Sequence, residues 1–332
     1  MRLSVLPLWW ARVLAASGSS LLAGENLLRI ESSLDAMGSV YTIVAYDEDR
    51  NALQSAIDLA FEEVSRLDGL LSNYKPRSEW SLVNREAGQH PVRVGPELFG
   101  LVEACLRYSQ QSDGAFDITV GPLVRTWGFY KGSGRLPHRA EIREALAKVG
   151  YRNVILNRDN LTIRFAQPGV EMDPGGIGKG YAVDRIVDIL RSRGIKRALV
   201  SAGGSSMYGL GSPPDRTDGW HVNISHPKDA GRSVGELTLH DVSMATSGTS
   251  EKFFVSGGKL YSHIFDPRTG YPAAAGVLSV SVVAAKAIDS EAWTKPMFIQ
   301  GRAWASRNNQ KRKDLRVFFC EDKTEIRCAW LQ

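Results

Sequence analysis

Two spacings of apolar residues share this chain. Residues 40–46 read as a strand, and Leu53, Ile57, Ala60, Phe61, Val64 and Leu67 then recur at helical spacing. Pro96 opens a second helical pattern carrying Leu98, Leu101, Val102, Cys105 and Leu106; proline suits a first helical turn because its missing N–H has no partner there anyway. Residues 153–156 and 161–165 flank an Arg-Asp-Asn turn and read as a hairpin. Further strands are expected at 197–201, 220–225, 235–239, 260–265 and 277–284. Strands and helices mix without a strict βαβ rhythm and without an internal repeat, so the pattern predicts an α+β fold in preference to a doubly wound sheet.

Composition narrows the function classes. The 332 residues carry a net charge of +5 and are 43% hydrophobic, ordinary for a globular chain with a large core. The densest basic stretch, 302–316 with Arg307, Lys311, Arg312 and Lys313, lacks a groove-reading motif. It reads as a solvated helix face, and no nucleic-acid partner is expected. A general positive field still favours a polyanionic ligand. The three cysteines show no CxxC spacing, which argues against zinc. Cys320 and Cys328 flank an Asp-Lys-Thr-Glu turn and could be bridged across a terminal hairpin, while Cys105 sits at an apolar helical position. Arg2 precedes an apolar run broken by Arg12, and Ser17, Gly18, Ser19 and Ser20 follow. Residues 1–24 therefore read as a leader or a disordered start, with 25–332 as one domain. No other stretch is long and apolar enough to span a membrane.

Two segments carry candidate chemistry. Residues 172–184 read MDPGGIGKGYAVD, with Val183, Ile186, Val187 and Leu190 at helical spacing and Gly194 as a stop. A glycine loop that opens a helix lets the backbone approach a ligand, and unpaired N–H groups suit phosphate. Lys179 adds a full positive charge. The P-loop pattern fails because Gly180, not Ser or Thr, follows Lys179, and the Rossmann glycine spacing is absent. Residues 262–270, SHIFDPRTG, place a histidine beside a rigid turn. Histidine is suited to accept a proton near neutral pH. A plain reading stands beside it: a hairpin corner in which Asp266 and Arg268 pair.

Together these segments resemble the ApbE family, the FAD:protein FMN transferases. Met37-Gly38, residues 71–84 (LSNYKPRSEWSLVN), residues 114–129 (GAFDITVGPLVRTWGF), the glycine loop, Gly203-Gly204, Gly219-Trp220, Thr246-Ser247-Gly248 and the His263 segment follow in the family's order. The resemblance runs from about Met37 to Gly301. It implies a mixed two-part, T-fold-like α+β architecture with FAD between the parts. It also implies transfer of FMN from FAD to a Ser or Thr of an acceptor flavoprotein bearing a flavinylation motif, with release of AMP. His263 is implied as general base. Met37, Tyr74, Ala115, Phe116, Asp117, Asp173, Lys179 and His263 are implied as FAD contacts, and Trp127 as packing. Tyr74 and Phe116 either border rings or are simple core. The family's usual setting implies a periplasmic or membrane-associated location outside the cytoplasm; a cytoplasmic location stays open, and no cysteine follows the apolar start to carry a lipid anchor.

The resemblance also implies Mg²⁺, and there the chain departs from the pattern. Gly176 takes the place of a backbone oxygen ligand. Aligning Trp293 and Gly301 puts Glu291 where the family has Asp and Lys295 where it has Thr. Either Mg²⁺ binds through Glu291, Thr294 and Asp289 in altered geometry, or the Lys295 ammonium partly replaces it. Two other activities remain open on sequence: an FAD-binding protein with weak catalysis, and an FAD pyrophosphatase.

Overall fold

A computed structural model describes residues 27–331 except Ser133, Ala275, Gln310, Lys311 and Lys313. The expected leader at 1–24 lies outside the described residues. The chain opens with β1 (Leu28–Ala36), β2 (Ser39–Asp47) and α1 (Arg50–Leu71). A middle section follows: α2 (Glu79–Glu86), β3 (Val92–Arg93), α3 (Pro96–Gln111), α4 (Gly121–Thr126), α5 (Arg139–Leu146), β4 (Val154–Asn157) and β5 (Thr162–Phe165). Then come α6 (Gly178–Ser192), β6 (Arg197–Ala202), β7 (Ser206–Leu210), β8 (Trp220–His226), β9 (Asp229–Leu239) and β10 (Val242–Gly248). The last elements are β11 (Phe253–Ser256), β12 (Lys259–Ser262), β13 (Val277–Ala284), α7 (Ala287–Asn309), β14 (Arg316–Asp322) and β15 (Ile326–Trp330).

An antiparallel sheet ordered β1-β2-β6-β7-β10-β13-β14-β15 forms the base. Side chains on a strand alternate between faces, and both faces of this sheet are covered. Tyr41, Ile43, Ala198 and Val200 point to one side, against α1 and α6. Val44, Leu199, Met207 and Phe318 point to the other, where Trp220, Val222, Leu237 and Leu239 of the β8–β9 hairpin cover them. Helix α1 is begun by Asp49, whose carboxylate accepts from the amides of Asn51 at 2.8 Å and Ala52 at 3.1 Å. It buries Leu53, Ile57, Ala60, Val64 and Leu67, as the spacing predicts. Helix α6 buries Val183, Ile186, Val187 and Leu190 and ends before Gly194, whose φ of 81° lies in the left-handed region.

The middle section is a second part, inserted between α1 and α6. Its core joins Trp80, Val83, Leu98, Val102 and the small sheet β3-β5-β4. A satellite cluster holds Leu123, Ile142, Phe254, Phe265 and Trp127. Trp127 is fully buried and donates from Nε1 to the Gly270 carbonyl at 3.0 Å, so it is packing. The expected strand at 260–265 is shorter than predicted: β12 stops at Ser262, the chain turns at His263, and Phe265 bridges Pro272.

Helices α6 and α7 meet closely. Asp184 accepts from the first amides of α7, Ala287 at 2.7 Å and Ile288 at 3.0 Å. A Cβ on Gly180 would overlap the Ala287 carbonyl oxygen and lie 2.9 Å from Glu291 Oε2. Only a residue without a side chain lets the helices sit at this distance. Gly180→Ala is therefore expected to lower unfolding free energy by about 1–3 kcal/mol through overpacking. Urea denaturation with an unchanged midpoint would show that this contact does not hold the helices together.

Candidate active site

The glycine loop is fixed from below by the inserted part. Asn84 brackets Met172, accepting from its amide at 2.8 Å and donating to its carbonyl at 2.8 Å. Trp80 Nε1 donates to the same carbonyl at 3.0 Å. Asp173 follows. Its carboxylate accepts from the Gly175 amide at 2.8 Å and from Asn73 Nδ2 at 2.9 Å, while its own amide donates to Ile118 at 2.6 Å. Burial raises its pKa, and the Gly175 amide opposes that rise. Asp173 thus folds the loop as well as bordering it. Met37, in the β1–β2 turn with φ of 52°, brings its methyl to within 3.2 Å of the Cβ position of Gly178. Phe116 approaches the Cβ position of Gly176 at 3.4 Å, and Lys295 Cε approaches it at 3.7 Å.

Charged side chains gather at the mouth of this loop. Lys179 donates from Nζ to Ser205 Oγ. Glu291, buried in α7, accepts the Gly180 amide on Oε2, whereas its Oε1 is buried without a hydrogen-bond partner. Lys295 Nζ lies 3.9 Å from that Oε1 and 3.4 Å from the Glu291 carbonyl oxygen. Burial lowers the pKa of Lys295; the Glu291 carboxylate opposes the shift and Lys179 adds to it.

His263 completes the group. Its Nδ1 is 3.1 Å from the Lys252 carbonyl, which also accepts the His263 amide at 3.0 Å. Assigning the ring proton to Nδ1 satisfies that contact and leaves a lone pair on Nε2, which sits 3.9 Å from Glu251 Oε2. Desolvation pulls the imidazole pKa downward, less than full burial would because 29% of the side chain still reaches solvent; Glu251 opposes the shift and Lys295 adds to it. The ring is therefore a neutral proton acceptor at pH 7. Its neighbours in the turn play another part: Arg268 makes two 2.8 Å hydrogen bonds to Asp266, so these charges are spent on the corner itself.

The remaining sequence candidates are distributed differently. Ala115 and Phe116 are buried, Phe116 against the loop. Asp117 turns away: it accepts from Thr119 N at 2.8 Å, Thr119 Oγ1 at 2.6 Å and the Tyr151 amide at 2.6 Å, and so holds the segment that carries Phe116. Tyr74 is 68% exposed and stacks on Tyr130 at 4.8 Å, an open ring rather than core. Sequence reasoning missed Glu251, Lys252 and Ser205. Lys252 acts through its carbonyl, which no side-chain pattern reveals.

Of the proposed metal ligands, Gly176 and Glu291 both stay beside Lys295 at the loop, whereas Asp289 and Thr294 are engaged elsewhere. Asp289 accepts from Tyr108 Oη at 2.6 Å. It stands two residues from Glu291, about 200° around the helix, so the two carboxylates face apart. Thr294 Oγ1 is engaged by Ser247 Oγ and the Glu291 carbonyl, both at 2.7 Å. Among the described residues no group of three His, Cys, Asp or Glu could hold a metal ion. One orphaned carboxylate oxygen facing an ammonium is not a Mg²⁺ donor set. The residues present do not fit the ion that the resemblance implies.

This architecture is shared with solved structures. The ApbE protein from Thermotoga maritima matches with a TM-score of 0.82 at 30% identity, covering 90% of this chain and 96% of that one. The flavin transferase ApbE from Vibrio cholerae matches with a TM-score of 0.79 at 26% identity, over 92% and 96%. A Klebsiella pneumoniae (strain 342) protein named FAD:protein FMN transferase is 34% identical over 293 residues, 87% of this chain and 88% of its own. The ApbE family model matches residues 37–319. The chain belongs to the ApbE family.

The tautomer and charge of His263 are directly measurable. In a ¹⁵N-resolved NMR titration its imidazole should stay neutral down through pH 6.5, since the pKa is displaced downward from 6.5. A midpoint at or above neutrality would contradict the burial argument.

Proposed function

We propose that this chain transfers the FMN portion of FAD to a Ser or Thr hydroxyl of a partner protein. The observation that carries this reading is that Lys179 and Lys295 lie at the loop that opens α6, with His263 close enough to Lys295 for that charge to act on its ring. The acceptor oxygen attacks the phosphorus attached to FMN. An O–P bond forms, the pyrophosphate P–O bond breaks, and AMP leaves with the bond's electron pair. Phosphoryl transfer of this kind depends on alignment and charge neutralisation. Of the first amides of α6, that of Gly180 is taken by Glu291, and those of Gly178 and Lys179, which have no intrahelical acceptor, suit phosphate oxygens. Nε2 takes the hydroxyl proton, and the Lys252 carbonyl holds the imidazolium through Nδ1–H. Glu251, 3.9 Å away, stabilises the charge that forms there.

Exposed Tyr74, stacked on Tyr130 beside the loop-holding Asn73, offers a flat surface to a flavin or adenine ring. The acceptor is a redox protein carrying a Ser/Thr flavinylation motif. We place the reaction outside the cytoplasm. The disulfide between Cys320 and Cys328 supports an oxidising compartment. Among the described residues no helix is long and apolar enough to cross a membrane. Magnesium receives no role, because the candidate donors are spent elsewhere or opposed by Lys295.

His263→Ala should bind FAD yet flavinylate an acceptor roughly two to four orders of magnitude more slowly. Mass spectrometry of the acceptor and chromatography of the nucleotides read the outcome. Near-normal transfer by the variant would remove His263 as base. Release of free FMN and AMP by the wild-type protein, with no modified acceptor, would replace the transferase reading with hydrolysis.

A further inference from the structure

The pair formed by buried Glu291 and part-buried Lys295 is unlike the surface ion pairs of this protein. Only 2% of the Glu291 side chain and 20% of the Lys295 side chain reach solvent. Lysine is rarely held this deep without a partner or a task. Its partner is imperfect: Nζ stands 3.9 Å from Oε1, beyond hydrogen-bond range, and Oε1 has no other donor. Glu291 cannot swing to improve the contact, because its other oxygen accepts the Gly180 amide. The ammonium therefore has capacity left over. Among the described residues its one hydrogen bond is long, 3.4 Å to the Glu291 carbonyl, and an ammonium has three donors. The side chain lies along the glycine loop, with Cε 3.7 Å from the Cβ position of Gly176. The spare donors are thus carried at the loop that receives phosphate oxygens.

We propose that Lys295 is the tethered cation of the pyrophosphate site, so that FAD is bound and its phosphate charge neutralised without a divalent ion. The assignment rests on the transferase reading only for the identity of the ligand. Glu291 positions the ammonium and is itself anchored to the start of α6. Lys179, in the first turn of α6 and bonded to Ser205 of the β6–β7 turn, supplies the second positive charge. Two ammonium groups match the two negative charges of a pyrophosphate diester. A divalent ion placed at Glu291 Oε1 would meet Lys295 as a like charge at close range, and like charges there repel. The exclusion follows from the residues present: the orphaned oxygen already faces a cation.

Calorimetry on protein treated with EDTA tests this. Wild-type protein should bind FAD with the same affinity, within about twofold, with or without added Mg²⁺. Lys295→Met should weaken FAD binding by about tenfold or more in both conditions, the loss of a charge-assisted hydrogen bond. Lys295→Arg, which keeps the charge, should recover most of the affinity. Electron paramagnetic resonance with Mn²⁺ and no FAD gives a second reading. The wild type should hold no Mn²⁺ at this site, and Lys295→Thr, which removes the repelling cation and adds an oxygen, should gain it. Three results would each overturn the assignment: wild-type affinity for FAD rising about tenfold with Mg²⁺, Mn²⁺ bound by the wild type and lost in Glu291→Gln, or unaltered FAD binding in Lys295→Met. An acceptor left unmodified by protein that binds FAD as expected would sink the transferase reading while leaving the Lys295 assignment supported.

Discussion

The closeness of α6 to α7 is the constraint on which the site depends. Gly180 removes the side chain that would hold the helices apart. Asp184 then caps α7 from α6, and Glu291 of α7 accepts an amide of α6. Each helix thus satisfies polar groups of the other, which would cost free energy if buried alone. The same contact sets the register between the glycine loop and Lys295. Widening it would move the cation from the loop, whatever happened to the loop itself.

A second consequence follows from the order of segments. The loop is held by Asn73 and Asn84 from one direction and by Met37 from another. His263 arrives from a third, on the turn after β12. These residues are far apart in sequence, and each is fixed by packing that has no chemical role of its own. Asp117, Asp266 and Arg268 show this well. All three sit within motifs that carry chemistry, yet their hydrogen bonds go to the turns that aim Phe116 and His263.

Much of the fold was legible because many elements are half-buried. Helices α1 and α6 show one apolar stripe, and β13, apolar but for Ser279 and Ser281 and buried throughout, has the predicted bounds. Helix α7 was read only at its C-terminal end, within the solvated face expected at 302–316, and its first part escaped notice for the opposite reason. It is buried around most of its circumference from Ser290 to Ile299, includes Pro296, and is kinked at Gly301. No stripe remains to be read, and its two irregular residues resemble breaks. Strand β1 was missed because it is an edge strand with mostly exposed side chains. At the candidate site, Asp173, Gly176, Lys179 and His263 stand out in the sequence because each belongs to a local motif. Glu251 and Ser205 do not, since ordinary polar residues gain a role only when the topology delivers them. Among the metal candidates, Asp289 and Glu291 are close in sequence yet face apart on a helix, which a linear alignment does not reveal.

The C-terminal hairpin bears on strand register. Cys320 and Cys328 are directly opposed on β14 and β15, and β15 is the last strand of the sheet. A slip of one residue along an edge strand turns every side chain to the opposite face. Here such a slip is forbidden covalently, and the Phe318–Trp330 contact and the Arg302 bonds to Glu321 and Ala329 are held in one alignment. With both thiols reduced, backbone hydrogen bonds and those side-chain contacts alone would have to keep the strand in step.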